Sequence, residues 1–112
     1  MFSHESEILR RLRLIEWLKA ELITKVGQLY QAMAQNSDQA ICQALAQVVT
    51  HCYILGRRLG IEFAALDAAV ENQINNNIKQ EHEAEKLFGD FSEYRRYLRQ
   101  KRGEQNAAGY KD

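Results

Sequence analysis

The chain has 112 residues, the length of a single domain. It contains no proline and 6 glycines, which favours long uninterrupted helices, because proline inside a helix costs about 3 kcal/mol. The 15 basic and 15 acidic residues cancel, so no global field attracts nucleic acid or an anionic membrane. We expect neither of them as a partner.

The compartment is predicted from apolar runs and cysteines. Residues 1–13 alternate charged and apolar side chains, and no apolar run approaches the roughly 20 residues that span a bilayer, so we expect no signal peptide and no membrane span. Cys42 and Cys52 are about 15 Å apart along one predicted helix, too far for a disulfide between them. They indicate buried thiols, and the chain is predicted to be cytoplasmic.

The first predicted helix is Ser3–Gln35. Its apolar residues recur at helical spacing: Ile8, Leu12, Ile15, Leu18, Leu22, Val26, Leu29 and Met33. Gly27 costs about 1 kcal/mol there relative to alanine, which indicates a close approach of another helix. A turn follows at residues 35–38, where Asn36 or Ser37 caps the next helix.

The second predicted helix, Asp38–Leu59, carries two apolar strips. The first is Ile41, Leu45, Val48, Cys52, Leu55 and Leu59, and the second is Val49, Tyr53 and Ile54. An apolar arc this wide predicts burial on more than one side, by a third helix or by a second subunit. We therefore expect a homodimer, or a tetramer made of two dimers, with this helix at the interface.

Gly60 predicts a helix stop, and a third helix is expected to begin at Ile61. Residues 75–77 are three asparagines with low helix propensity, which predicts a kink or break. A short helix over Gln80–Phe88 is expected to end at Gly89.

Asp90 is predicted to cap a final helix that ends near Arg102. Residues 103–112 are polar and without periodicity, which predicts a disordered tail. The predicted fold class is all-α: one helical domain over residues 1–102, with two long antiparallel helices and two or three shorter helices.

Residues 21–29, Glu-Leu-Ile-Thr-Lys-Val-Gly-Gln-Leu, resemble the first motif of the MazG-like proteins, the all-α NTP pyrophosphohydrolases. That family has Glu-x-x-Glu around a Val-Gly pair, then Glu-x-x-Asp on a second helix. Here Lys25 and Gln28 flank the Val-Gly pair, and the second motif falls on Ala44 and Gln47.

Three further stretches carry the resemblance, which covers about Ile15–Leu98. Residues 48–61 resemble the apolar helix and Leu-Gly-Ile turn after the family's Asp. Gln73 and Asn77 align with the family's Lys-x-x-x-Asn and keep the Asn. The third stretch resembles a motif of a small subgroup described as MazG-like, and its residues are His82, Glu85, Phe88, Gly89, Asp90 and Ser92.

The resemblance implies a helical scaffold on which four carboxylates hold Mg²⁺, which bridges nucleotide phosphates and activates water. Mg²⁺ requires hard oxygen ligands, and the four positions here are Lys25, Gln28, Ala44 and Gln47. We therefore expect no Mg²⁺ cofactor and assign no catalytic or metal-binding residue, and whether the chain is an enzyme stays open.

The polar faces of the two long helices predict a groove between them. One interpretation is a metal-free anion pocket for a nucleotide, whose candidate residues are Lys25, Gln28, Gln47, His51 and Asn77. The other is a pair of solvated or dimer-buried polar stripes with a Glu21–Lys25 ion pair, which amphipathic helices have by default.

Three other clusters have two interpretations each. The first cluster fits either a metal site or a charged exposed helix, and its residues are Glu81, His82 and Glu85. The second fits either a displaced Mg²⁺ site or an acidic strip, and its residues are Glu62, Asp67 and Glu71. The final helix fits a phosphate or nucleic-acid surface, or charge that complements a helix C-terminus, and its basic residues are Arg95, Arg96, Arg99, Lys101 and Arg102.

Three functions follow from these observations. The first is a MazG-like protein that lost Mg²⁺-dependent catalysis, a pseudoenzyme that acts as a nucleotide-binding, regulatory or structural dimer. The second is an active NTP pyrophosphohydrolase with relocated acidic ligands. The third is a helical protein–protein adaptor with no small-molecule site.

Overall fold

The computed structural model describes the backbone of residues 2–110 and the side chains of residues 6–106. Within that range the chain forms helices and no strand, which confirms the all-α fold class. The helices are α1 (Phe2–Gln35), α2 (Asp38–Arg58), α3 (Phe63–Lys79), α4 (Glu83–Phe88) and α5 (Asp90–Tyr110). None of these five is both long and apolar enough to cross a bilayer. The cytoplasmic location stays a prediction.

Packing divides the chain into two units, residues 1–66 and 67–112. In the first unit α1 and α2 pack together as an antiparallel αα-hairpin, because only Asn36 and Ser37 connect them. Asn36 adopts a left-handed conformation at φ 58° and ends α1. The Ser37 hydroxyl accepts a hydrogen bond from the Ala40 backbone N–H at 3.4 Å, so Ser37 is the residue that caps α2.

Gly60 ends the second helix, as the sequence predicts. Its φ of 91° turns the chain back, and the Ile61 N–H donates to the Gly56 carbonyl at 2.9 Å, a Schellman closure that satisfies a terminal carbonyl. Arg57 pairs with Glu62 across this turn at 2.8 Å.

The hairpin covers only one side of each of its helices. In the first unit the buried hydrophobic residues are Leu18 and Ala32, whereas Leu45 and Val49 on α2 keep 48% and 54% exposure. The prediction of buried thiols is wrong, because Cys42 and Cys52 are exposed on α2 in this single chain. The close approach predicted at Gly27 is also wrong, since a Cβ there would meet nothing within 4 Å.

In the second unit α3 runs without interruption through the three asparagines. The predicted break is wrong because each asparagine costs only about 0.7 kcal/mol relative to alanine, less than a lost helical turn. The helix ends instead at Lys79, and Glu81 follows in a left-handed conformation with a φ of 55°. The His82 N–H then donates to the Asn77 carbonyl at 2.9 Å. The short helix therefore begins at Glu83, later than predicted, and ends at Gly89 as predicted.

The last helix continues to Tyr110, so its predicted end near Arg102 is wrong. Gly103 alone does not stop it, because the glutamate, glutamine and alanines that follow favour helix. The predicted disordered tail thus has helical backbone up to Tyr110, and Lys111 and Asp112 lie outside the described residues. That residues 1–102 form one domain stays a prediction.

Candidate functional site

The polar faces of α1 and α2 line one open groove of about 290 Å³, which we call the α1–α2 groove. Every lining residue is lysine, glutamine or alanine. Helix α1 supplies Lys25, Gln28, Gln31, Ala32 and Gln35, and α2 supplies Ala40, Gln43, Ala44 and Gln47. The four positions that correspond to the carboxylates of the MazG-like motif therefore all lie on the walls of this groove. They are Lys25, Gln28, Ala44 and Gln47.

The residues at those four positions do not fit a Mg²⁺ ion. Mg²⁺ takes oxygen ligands in near-octahedral geometry and is held through carboxylates. Gln28 and Gln47 offer neutral amide oxygens, Ala44 offers no ligand, and the Lys25 ammonium repels a cation. Elsewhere among the described side chains, no three His, Cys, Asp or Glu residues are grouped as metal ligands would be.

Of the described residues that line the groove, Lys25 is the one that carries a charge. Its side chain is half-buried, and it forms no hydrogen bond or ion pair with any side chain that the structure describes. The Glu21–Lys25 pair that the sequence allows is therefore not formed. Because removal from water disfavours an ammonium that has no counter-ion, an anion that enters the groove gains a stabilising contact.

His51 does not line the groove. His51 lies one turn beyond Gln47 on α2, and its Nδ1 is 2.7 Å from the Gln47 carbonyl oxygen, so the proton of a neutral ring is on Nδ1. Asn77 belongs to α3 in the other unit. Of the five candidate residues, the structure brings Lys25, Gln28 and Gln47 into one groove.

Sequence reasoning missed Gln31 and Gln35, which extend the amide wall of α1. Their signal was present in the chain, because residues 28, 31 and 35 follow at steps of three and four and so share one helix face. The family motif directed attention to four positions, whereas the groove runs over almost three helical turns.

The stretch from His82 to Ser92 forms a junction between α4 and α5. The Glu85 carboxylate accepts from the Ser92 backbone N–H at 2.8 Å and from the Ser92 hydroxyl at 2.5 Å. Ser92 lies in the first turn of α5, where backbone N–H groups have no partner inside the helix. Glu85 thus caps α5 from the preceding helix.

This capping changes the acidity of Glu85. The hydrogen bond from the Ser92 hydroxyl, followed by that from the Ser92 backbone, lowers the pKa of the Glu85 carboxyl below its ordinary value of 4.5. The Phe91 N–H and the charge of Arg95 act in the same direction, and partial burial opposes them. Each donor stabilises the charged form.

His82 holds the other end of the junction. Its Nδ1 accepts from the Ala84 backbone N–H at 3.0 Å, which caps α4, and its ring meets Phe91 edge-on with centroids 5.0 Å apart. His82, through its Nδ1, and Glu85, through both carboxylate oxygens, therefore make local hydrogen bonds. This supports a structural interpretation of the motif over the metal site that the sequence also allowed.

We predict that Glu85→Gln lowers the melting temperature at pH 7 and that the difference disappears in acid. The folded-state pKa is lowered, so the stabilisation is present above pH 4.5 and is lost as pH falls through the folded-state value. Ser92→Ala removes the hydroxyl donor and should cost about 1 kcal/mol at neutral pH.

Thermal unfolding by circular dichroism, from pH 7 to about pH 3, measures this dependence. Glu83→Gln, which removes an exposed carboxylate from the same helix, is the matched control. Equal losses for Glu85→Gln and Glu83→Gln, or a loss that persists unchanged in acid, would contradict the capping role.

Two of the acidic residues that the sequence offers as relocated metal ligands form ion pairs inside their own units. Glu62 pairs with Arg57 at 2.8 Å, and Glu71 pairs with Arg102 at 3.2 Å. A metal ion at either carboxylate would compete with a guanidinium. This geometry favours structural roles for both residues.

The first unit is thus an αα-hairpin with an amide-lined groove, and the lysine of that groove has no counter-ion among the described residues. The family model of the MazG-like family matches residues 8–91, and the chain belongs to that family. The match includes the groove and the junction up to Phe91. Comparisons with curated proteins and with solved structures give no significant match.

Proposed function

We propose that this MazG-like protein binds the phosphate groups of a nucleotide in the α1–α2 groove without Mg²⁺ and does not hydrolyse them. It would act as a regulatory or structural member of its family. The observation that carries the proposal is Lys25, a half-buried ammonium among amide side chains, which has no counter-ion within residues 6–106.

The chemistry of the groove suits binding better than hydrolysis. Lys25 supplies a point charge, and the amide groups of Gln28 and Gln47 donate hydrogen bonds to phosphate oxygens. An amide is not a general base, and it brings no charge with which to hold a divalent cation. A volume of about 290 Å³ is enough for a chain of phosphates.

We also propose that the protein is a homodimer with α2 at the interface. The apolar side chains exposed on the hairpin are numerous and large: Leu12, Trp17, Ile23, Tyr30, Leu45, Val49 and Ile54 all exceed the exposure of a core residue. A second copy that covers this surface would complete a core that one hairpin leaves thin.

The experiment that tests the proposed function is a residue-resolved NMR titration with ATP, GTP, CTP and UTP, and with inorganic triphosphate, in the presence of EDTA. Shifts should be confined to residues 25–35 and 40–47. We predict that Lys25→Ala weakens this binding about tenfold, because a charge-assisted hydrogen bond is lost.

Lys19→Ala is the matched control, since Lys19 lies on the same helix and pairs with Glu16 at 2.9 Å outside the groove. Inorganic triphosphate separates recognition of phosphate from recognition of the base. Equal weakening by both lysine variants, no shift in the groove, or pyrophosphate release on addition of Mg²⁺ would overturn the proposal.

A further inference from the structure

A second polar cavity lies within the unit of residues 67–112, between α3 and α5. Its volume is about 40 Å³. Helix α3 contributes Glu71, Ile74 and Asn75, and α5 contributes Arg95, Arg99 and Arg102. We call it the arginine pocket.

Two of its arginines are anchored to α3. The Arg95 Nη1 donates to the Asn75 Oδ1 at 3.0 Å, and the Arg102 Nη1 lies 3.2 Å from the Glu71 Oε1. A guanidinium has five N–H donors, so each contact leaves others for a ligand. Such anchoring also reduces the conformational freedom that the two side chains lose on binding.

Arg99 lies between them, one turn after Arg95 and three residues before Arg102, and so faces the same pocket. Its side chain is exposed and makes no hydrogen bond or ion pair with the residues described. The Arg99 side chain can therefore bind a ligand without breaking an existing hydrogen bond or ion pair.

The charge in the pocket is unbalanced. Three guanidinium groups face one carboxylate, that of Glu71, in a chain whose formal net charge is zero. Glu85 also interacts with Arg95, and with both carboxylates counted one positive charge remains in excess. Local excess of this kind attracts anions although the whole chain has no net field.

We propose that the arginine pocket binds a single phosphate group, with Arg99 as its principal ligand and with the remaining donors of Arg95 and Arg102 completing the contact. Guanidinium groups match phosphate oxygens through paired hydrogen bonds. The small volume suits one tetrahedral oxyanion, either free or at the end of a larger molecule that extends into solvent. The residues are separate from those of the α1–α2 groove, so this inference does not rest on the proposed function.

The test is a titration of the full chain with inorganic phosphate at constant ionic strength, followed through the side-chain Nε–Hε signals of its arginines. We expect saturable shifts for Arg95, Arg99 and Arg102. Arg99→Ala should weaken binding about tenfold, while Arg96→Ala, an exposed arginine of the same helix outside the pocket, should change it less than about twofold.

A second variant is expected to raise the affinity for phosphate, a change that a loss of stability would not produce. Glu71→Gln removes the competing carboxylate at nearly constant volume and should tighten phosphate binding. A titration with a nucleoside monophosphate in place of inorganic phosphate distinguishes binding of a terminal phosphate from binding of the free ion. Lys25→Ala, a change in the α1–α2 groove, should leave the shifts of the arginine signals unchanged. Linear, non-saturating shifts, equal weakening by Arg96→Ala, or weaker binding by Glu71→Gln would overturn the proposal.

Discussion

Leu45→Asp combined with Val49→Asp should convert the proposed dimer of twice 13.0 kDa into a monomer that is largely unfolded. Both side chains lie one turn apart on α2 and are about half exposed in the single chain, so in a dimer they would lie at the interface. A carboxylate buried there without a partner costs on the order of 3 kcal/mol. Two such charges would cost more free energy than the thin hydrophobic core provides. The chain should then unfold when the dimer dissociates, because folding and association are coupled.

Light scattering after size exclusion measures the mass, and circular dichroism measures the helicity. Gln39→Asp is the control, since it adds a charge at an exposed polar position of α2. A dimer whose melting temperature rises with concentration is the expected state of the unmodified protein. If the unmodified chain is a stable monomer, the dimer proposal fails and the exposed apolar surface favours the adaptor instead.

A variant with four carboxylates in the groove should bind divalent ions more tightly than the unmodified chain. The changes are Lys25→Glu, Gln28→Glu, Ala44→Glu and Gln47→Asp, all on the walls of the α1–α2 groove. We expect Mn²⁺ to bind with a Kd of about 10⁻⁴ M or tighter, because affinity rises with ligand charge. Without metal the four acids repel one another, so the melting temperature should fall and then recover when Mn²⁺ is added.

The matched control is Lys25→Gln with Ala44→Gln, which gives four amides at the same positions and no negative charge. It should stay folded and bind Mn²⁺ no better than the natural protein. A folded four-carboxylate variant that does not bind Mn²⁺ would show that these positions do not converge as the groove geometry indicates. Circular dichroism establishes the folding of both variants.

Much of the fold was predictable because it depends on local chemistry. Ser37 and Gly60 are a cap and a stop whose effects act within one turn of the chain, and the structure uses both as such. Residues whose role depends on other elements were harder to predict. Three asparagines stay helical in α3 because their small preferences do not outweigh a continuous helix, and Asn75 gains a contact with Arg95.

In the candidate site, too, the features that depend on local spacing were predictable and the contacts between side chains were not. The spacing of Lys25 and Gln28 on one helix and of Ala44 and Gln47 on the next was enough to predict a shared groove, since each pair follows the helical period. The sequence did not predict that Lys25 lacks the Glu21 pair, because an i,i+4 spacing permits an ion pair without requiring it. Nor did it predict that Glu85 reaches Ser92, which requires the turn at Gly89 to fold α5 back toward α4.

The proposal of metal-free nucleotide binding is tested most directly by the affinity of the unmodified protein for ATP, measured once in EDTA and once in Mg²⁺. We predict binding in the α1–α2 groove in EDTA that Mg²⁺ does not strengthen, because Lys25 and the amides would contact the phosphates themselves. Binding that appears only with Mg²⁺ would contradict it.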